Sequence, residues 1–123
     1  MKALSVRQPW AGLIDAGLKT IEVRTWATGH RGPLLICASA YKFRSSETGE
    51  YYPNGVMLAV VDLVDVRPIT QKDLKAAILP DDYKLTGREL AWELARPRPV
   101  EMTPTKGRLY LFDVPENLIK YAV

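Results

Sequence analysis

The sequence VMLAVVDLVDV, Val56–Val66, is a long run of β-branched and aliphatic residues, and it decides the fold class. Only Asp62 and Asp65 interrupt the apolar side chains on its two faces. A strand that is apolar on both faces must be covered on both sides, so this run predicts a strand in the interior of a sheet. Pro68 ends the run, because proline lacks the N–H of a ladder hydrogen bond.

Shorter strand patterns lie on both sides of this run. The predicted strands are Leu4–Val6, Thr20–Trp26, Leu34–Ala40, Val56–Val66, Leu90–Leu94 and Gly107–Val114. A two-turn helix is predicted between the first two, because Trp10, Leu13 and Ile14 share one helical face, with Pro9 at its first position and Gly17 after its end. Five or six short strands with this helix predict a mainly β (α+β) fold, a small and mostly antiparallel β-barrel.

Three further segments have weaker patterns. Thr70 and Asp73 can cap a helix over Gln71–Ile78, with Leu74, Ala77 and Ile78 on its inner face, and Pro115–Tyr121 predicts a short terminal helix. Pro97, Pro99 and Pro104 predict that regular pairing is absent between the last two strands. Residues 41–54 read as a mobile excursion with room for a short helix.

Length and composition limit the function classes. The 123 residues fit one domain, and 47% hydrophobic with 25% charged residues is typical of a globular protein. A net charge of +3 permits an anionic partner without requiring one. Dinucleotide, P-loop and zinc motifs are absent from the sequence, so no metal and no cofactor are predicted.

Cys37 is the only cysteine, so the chain cannot form an internal disulfide. It lies in an apolar run, where a small buried thiol is expected. The N-terminal residues Met1–Gln8 lack the apolar stretch of a signal peptide, and no segment is long enough to span a membrane. We therefore expect a reducing, cytoplasmic location.

The segment GLKTIEVR, Gly17–Arg24, carries the densest cluster of opposite charges. Strand alternation places Ile21 in the core with Val23, whereas Glu22, Arg24 and Trp26 share the other face. That face offers a hydrogen-bond acceptor, a planar five-donor fork and a stacking surface, which together suit a nucleotide. The alternative is a solvated strand face with a weak ion pair between Glu22 and Arg24.

Lys19 has the opposite parity to Glu22, but it follows Gly17, where the chain is still leaving the helix. It could therefore turn toward the same side. Lys106 and Arg108 flank Gly107 at the start of the last predicted strand, where phosphate contact and plain solvation are both open.

The tryptophans and the remaining polar residues have more ordinary interpretations. Trp10 and Trp92 are expected in the core, and Trp26 is open to either stacking or packing. His30 is expected as a loop histidine that touches phosphate or nothing. Asp62 interrupts an apolar strand and is expected to pair with an arginine or lysine rather than to act in catalysis.

Several motifs in this order carry a resemblance to a known family. They are LSVRQPWA at Leu4–Ala11, GLKTIEVRTW at Gly17–Trp26, HRG at His30–Gly32, NGV at Asn54–Val56, VDLVD at Val61–Asp65, AWEL at Ala91–Leu94 and PTKG at Pro104–Gly107. Together they resemble the ASCH (activating signal cointegrator homology) domain, which is related to PUA-like RNA-binding barrels. The likeness is greatest to the cointegrator domains themselves.

The resemblance implies a cleft where the first helix, the Lys-Glu-Arg strand and neighbouring loops meet, and an RNA, DNA or nucleotide-like ligand. The candidate nucleic-acid-binding residues are Gln8, Lys19, Glu22, Arg24, Trp26, His30, Arg31, Lys106 and Arg108. The leading hypothesis is therefore an RNA- or nucleotide-binding domain, with Lys19 and Arg24 on phosphate, Glu22 on a base amino group and Trp26 stacked on a base.

Two alternatives come from the same resemblance. Some small bacterial relatives are amidohydrolases that deacetylate acetylcytidine with a lysine, a threonine and a glutamate, and a nuclease activity is also associated with the family. Lys19 matches the lysine, Glu22 occupies the threonine position, and Asp81, Asp82 and Glu89 lie where the glutamate has no match. Lys19, Glu22 and Arg24 are the catalytic candidates. A protein-interaction module of the coactivator type is the second alternative.

Overall fold

The computed structural model describes residues 1–122, which form a single curled sheet with short helical segments. The elements are β1 (Lys2–Val6), α1 (Trp10–Asp15), β2 (Ile21–Arg24), β3 (Gly32–Ala38), β4 (Val56–Pro68), β5 (Leu90–Pro99) and β6 (Phe112–Asp113). The strand order is β2-β5-β4-β3-β1-β6, and every pairing except the parallel β1–β3 pair is antiparallel. The predicted mainly β fold, with a helix between the first two strands, is confirmed.

Strand β4 lies inside the sheet between β3 and β5, as its sequence predicts. Neighbouring side chains of β3 enter two different cores, because successive residues of a strand point to opposite faces. Leu34 and Ile36 pack in the larger core with Trp92, whereas Leu35 and Cys37 pack in the second core with Met57. Cys37 is buried, as predicted, and this burial raises the pKa of its thiol to about 12.

Helix α1 is shorter than predicted, and it does not bury Trp10. Its six residues place Ala11 and Ile14 in the core, and Trp10 at the first position is 41% exposed. Pro9 is the N-cap rather than the first helical residue. A helix of fewer than two turns has a narrow inner face, and Ala11 with Ile14, three residues apart, fills it.

Strand β5 continues to Pro99, which pairs with Ala59, so the prediction that the prolines prevent regular pairing is wrong for Pro99, whereas Pro97 lies within β5 but has no partner in the register. The register with β4 shifts between Val60 and Asp62, which gives room for an extra residue around Arg96 (φ 51°). A bulge of this kind removes one ladder position, and proline is tolerated at bulges and strand ends.

The helix predicted over Gln71–Ile78 is also wrong in extent. Only Gln71–Asp73 forms a 3₁₀ turn, with the expected capping box between Thr70 and Asp73. Leu74 and Ala77 are buried as predicted, but Ile78 has φ 58° and is 41% exposed. A residue with positive φ cannot continue a right-handed helix, so no helix can include Ile78.

The C-terminal elements are shorter than predicted as well. Within Gly107–Val114 only Phe112–Asp113 pairs with β1, because Tyr110 has φ 60° and interrupts the extended chain. The predicted terminal helix is reduced to a 3₁₀ turn at Glu116–Leu118. In the 41–54 excursion a bridge between Arg44 and Tyr51 replaces the helix for which the sequence left room.

Asp62 forms ion pairs with two arginines of β5, at 2.8 Å from Arg96 Nε and 2.9 Å from Arg98 Nη2. The predicted structural pairing of this carboxylate is therefore confirmed. Over residues 1–122, none of the helices has the length and apolar character needed to cross a bilayer.

Candidate nucleic-acid interface

A solvent-connected cavity of about 690 Å³ opens between β1, α1, β2 and the segment before β6. We call it the cationic cavity. Its charged lining consists of Arg7, Lys19, Glu22, Arg24 and Arg108, and its aromatic lining consists of Trp10, Trp26 and Tyr110. Four cationic side chains therefore surround one carboxylate, and such an excess favours an anionic ligand.

The carboxylate of Glu22 lies between two cations. Its Oε2 accepts a hydrogen bond from Arg24 Nε at 2.9 Å and lies 2.9 Å from Arg24 Nη2, and its Oε1 lies 3.6 Å from Lys19 Nζ. The Glu22 side chain is only 9% exposed, so these charges interact with little screening by water. The three side chains thus form one compact charged cluster in the wall of the cavity.

Lys19 is held in this cluster by a turn rather than by the strand. The chain leaves α1 through Gly17 (φ 77°), and the backbone N–H groups of Leu18 and Lys19 both donate to the carbonyl of Leu13. Lys19 Nζ donates to the carbonyl of Ala77 at 2.6 Å. Burial lowers the pKa of Lys19, although Glu22 partly opposes this shift.

Arg24 keeps part of its hydrogen-bonding capacity for a ligand. Its Nε and Nη2 bind Glu22, and Nη2 also donates to the backbone carbonyl of Ser5 at 3.0 Å. Among residues 1–122 its Nη1 has no hydrogen-bond partner. Since the Arg24 side chain is 25% exposed, this nitrogen can reach a group inside the cavity.

The aromatic wall of the cavity is a packed unit. The ring of Trp26 packs nearly perpendicular to the rings of Trp92 and Tyr110, with centroid distances of 4.8 Å and 4.9 Å. Trp92 Nε1 also donates to the carbonyl of Trp26 at 3.3 Å. Trp26 is therefore fixed by neighbours on two sides while it still lines the cavity, which suits a stacking platform.

The segment Lys106–Leu111 passes close to β1 and carries Arg108 and Tyr110 to the cavity. At Gly107 an added Cβ would lie 2.6 Å from Ser5 Oγ, which is far inside van der Waals contact. The missing side chain of Gly107 thus permits the close approach of this segment to β1.

The structure brings together Lys19, Glu22, Arg24, Trp26 and Arg108 among the predicted site residues. Gln8, His30, Arg31 and Lys106 do not line the cavity. Gln8 is 2% exposed; its Oε1 accepts from Gly12 N in the first turn of α1 at 2.8 Å, and its Nε2 donates to the carbonyl of Pro53 at 3.0 Å.

The other residues outside the cavity have local partners or face solvent. His30 Nε2 lies 2.8 Å from the carbonyl of Pro33, and Arg31 pairs with Asp65 at 3.6 Å. Lys106 is exposed. The structure therefore does not bring Gln8 and His30 to the cationic cavity, where the sequence analysis expected them.

Three charged or aromatic residues of the lining, Arg7, Trp10 and Tyr110, were not among the site residues predicted from the sequence. Arg7 lies over the ring of Tyr41 at 4.3 Å, Trp10 was expected in the core, and Tyr110 lies in a predicted strand. Arg7 and Trp10 belong to the LSVRQPWA motif, so the motif itself was the available signal. No group of three or more potential metal ligands is close together within the described range 1–122.

Comparison with known proteins identifies a family and two related sequences. A family model described as "ASCH domain" matches residues 4–104. Activating signal cointegrator 1 from Homo sapiens is 39% identical over 58% of this chain, and its Mus musculus counterpart is 37% identical over 50%. The chain spans only 15% and 14% of the length of these relatives.

A crystal structure of ASCH from Zymomonas mobilis superposes with a TM-score of 0.68 at 15% identity, covering 94% of this chain and 88% of that one. At this low identity the likeness concerns the fold alone.

Proposed function

The chain belongs to the ASCH domain family, and we propose that it binds RNA, or a nucleotide within RNA, in the cationic cavity. The observation that carries the proposal is the combination of four cationic side chains, one carboxylate and three aromatic rings around one solvent-connected cavity. Phosphate is the anion that suits Arg24 and Arg108, and a base suits the aromatic wall.

Each group has a distinct part in the proposed complex. Arg24 Nη1 and the exposed Arg108 contact phosphate, and Trp26 stacks on a base. Glu22 keeps Lys19 and Arg24 in place and lowers the repulsion between them. Because phosphate contacts release counterions, we expect affinity to fall with salt with a slope of roughly −2 to −3 for three or four cations.

The test is fluorescence anisotropy with a labelled 12-nucleotide RNA at several salt concentrations. Arg108→Ala should weaken binding and reduce the salt slope by about 0.7. Lys106→Ala is the matched control, because it removes an exposed cation two residues away that does not line the cavity. Equal effects of the two variants would contradict the proposed cavity.

A second candidate function is hydrolysis of a modified nucleoside such as acetylcytidine, and the environment of Lys19 favours it. Burial lowers the pKa of this lysine, which increases its neutral fraction, and the neutral amine can take a proton from water or from an attacking group. Release of acetate from acetylcytidine by the wild-type protein, and not by Lys19→Met, would support this activity. No turnover above the variant would exclude it.

A protein partner is the outcome to expect if the cavity binds no nucleic acid. The curated relatives are cointegrators by name, which keeps this alternative open. A pull-down that recovers a protein whose binding is abolished by Arg108→Ala, together with no RNA binding, would favour it.

A further inference from the structure

One wall of the cationic cavity is a short segment with a strained backbone. Ala77 and Leu79 line the cavity, and Ile78 lies between them in the chain. Ile78 has φ 58°, a left-handed conformation that is strained for a β-branched residue. Such strain persists only where surrounding contacts enforce it. The segment Ala77–Leu79 therefore needs a group that holds it in this conformation.

The side chain of Lys19 supplies a hydrogen bond to this segment. Its Nζ donates to the carbonyl of Ala77 at 2.6 Å, and no other group among residues 1–122 donates to that carbonyl. Ala77 is fully buried, so without Lys19 its carbonyl would lack a partner. The peptide group that contains this carbonyl ends at the nitrogen of Ile78. Its direction therefore depends on the φ of Ile78, which couples the hydrogen bond to the strain.

The backbone that follows Lys19 contacts the same segment. The N–H groups of Thr20 and Ile21 donate to the carbonyl of Ala76 at 3.1 and 3.3 Å. These two bonds come from the backbone, so they hold Ala76 whatever side chain stands at position 19. The bond to Ala77 depends on the lysine side chain, and it is the one that reaches the strained part of the wall.

Lys19 offers little of its own surface to a ligand. Its side chain is 4% exposed, and its Nζ lies between the Ala77 carbonyl and Glu22 Oε1, at 2.6 and 3.6 Å. Arg24, which binds the same carboxylate, is 25% exposed. A lysine that is buried between a carbonyl and a carboxylate is placed to hold the wall rather than to contact phosphate.

We propose that Lys19 is a positioning residue: its ammonium group ties the Ala77 carbonyl to Glu22 and keeps Ala77–Leu79 in the strained conformation that forms a wall of the cationic cavity. Without this group the strain at Ile78 is released, and the wall relaxes. The consequence for RNA rests on the proposed function, in which Lys19 acts through the wall and not on phosphate. The hold on the wall itself needs no ligand.

The first measurement is amide hydrogen exchange by nuclear magnetic resonance, without ligand. Lys19→Met replaces the ammonium group by an apolar group of similar length. It should lower the protection factors of the Ala77 and Leu79 amides about tenfold, because the hydrogen bond that it removes involves a charged donor. Lys75→Met is the matched control, since this exposed lysine of the same segment does not line the cavity. It should leave the protection factors unchanged.

A change at Ile78 should compensate for the loss of Lys19. Glycine adopts a positive φ without strain, so in the double variant Lys19→Met with Ile78→Gly the protection should return to within about threefold of wild type. Lys19→Met with Ile78→Val is the matched control, because valine is also β-branched and keeps the strain. A lysine that only stabilised the fold would not show this dependence on residue 78.

RNA binding separates positioning from direct contact. With the labelled 12-nucleotide RNA, Lys19→Met should weaken binding about tenfold and leave the salt slope unchanged, and Ile78→Gly in the same chain should restore most of the affinity. A lysine on phosphate would instead reduce the slope by about 0.7, and Ile78→Gly would restore nothing.

The outcomes distinguish this proposal from the proposed function. Unchanged amide protection in Lys19→Met, or equal compensation by Ile78→Val and Ile78→Gly, would overturn the positioning role. A reduced salt slope without compensation would place Lys19 on phosphate and overturn it as well. If the amides respond as expected and wild type binds no RNA, the proposed function fails and the positioning role stands.

Folding provides the same comparison if Lys19→Met alone is unfolded. Addition of Ile78→Gly should then restore a folded protein, as judged by circular dichroism, and addition of Ile78→Val should not. Failure of Ile78→Gly to restore folding would contradict the coupling between Lys19 and the strained residue.

Discussion

Two arginines at strand ends, Arg24 and Arg67, are both paired with carboxylates, and they differ in what they leave unpaired. Arg67 uses all three nitrogens: Nε binds Glu93 at 2.7 Å, and Nη1 and Nη2 bind Asp73 at 2.7 and 2.8 Å. Arg24 uses two nitrogens on Glu22 and Ser5; its third has no hydrogen-bond partner among residues 1–122, and the residue lines the cationic cavity. Both side chains are partly exposed, at 33% and 25%.

The difference teaches how to separate a structural ion pair from a binding group. An ion pair alone does not indicate function, because both arginines have one. The pairing of Arg67 is complete, with two carboxylates for one cation. Around Arg24 the balance is reversed, with one carboxylate among four cations. Incomplete pairing beside open space is the property that supports the proposed ligand contact of Arg24.

The largest expected effect is on stability, through Arg67. Arg67→Ala leaves the mostly buried Asp73 without its bidentate partner and should cost about 2 kcal/mol of unfolding free energy. RNA affinity of the folded protein should not change. Urea denaturation followed by circular dichroism measures the first quantity, and anisotropy measures the second. A variant as stable as wild type would show that the complete pairing contributes nothing.

A pH series sharpens the same contrast. Arg67 holds the pKa of Asp73 well below its usual range, so the unfolded chain takes up this proton first as the pH falls. The stabilisation from the pair is complete above the unfolded pKa of about 4 and is lost as the pH falls through the lower folded value. The stability difference between wild type and Arg67→Ala should be constant from pH 7 to 5 and should shrink below pH 4.

A pH-independent stability difference down to pH 2 would contradict this cause. Wild type should still lose stability in acid, because Asp62, whose pKa is lowered mainly by Arg98, loses its pairing as well.

The smallest predicted change concerns ligand affinity at Arg24. Arg24→Ala should weaken RNA binding about tenfold, or about 1.4 kcal/mol, and Arg24→Lys should recover part of this loss. Lysine restores the charge but not the fork that contacts Glu22 and a phosphate at the same time. Anisotropy titrations at one salt concentration compare the three proteins. Equal binding by all three would remove Arg24 from the site.

The parts of the fold that sequence predicted depend on local pattern. Alternation and backbone preference predict the β4 run, the buried Cys37 and Trp92, the capping box at Thr70 and the end of α1 before Gly17. Element extents were predicted less well, because they depend on distant contacts. The bulge near Arg96 that admits Pro97 into β5 requires the neighbouring strand, and the end of the 70–78 helix requires a left-handed Ile78.

The residues of the candidate site also separate into those that local sequence pattern predicts and those that depend on distant contacts. The convergence of Glu22 and Arg24 with Trp26 could be expected from strand parity and from the family motifs. The hydrogen bond of Gln8 to the first turn of α1 and the exposure of Trp10 could not be expected, because both depend on where α1 begins and how short it is.

The close approach of Gly107 to Ser5 makes the side-chain sizes at these two distant sequence positions depend on each other. A methyl group added at position 107 would clash with Ser5 of β1. Either the segment Lys106–Leu111, which carries Arg108 and Tyr110, must move away from β1, or the Ser5 side chain must move. Gly107→Ala alone is therefore expected to widen the mouth of the cationic cavity. The double variant Gly107→Ala with Ser5→Gly, which removes the hydroxymethyl group of Ser5, is expected to restore the original width. In homologues that keep this cavity, the sizes of the two residues should vary inversely.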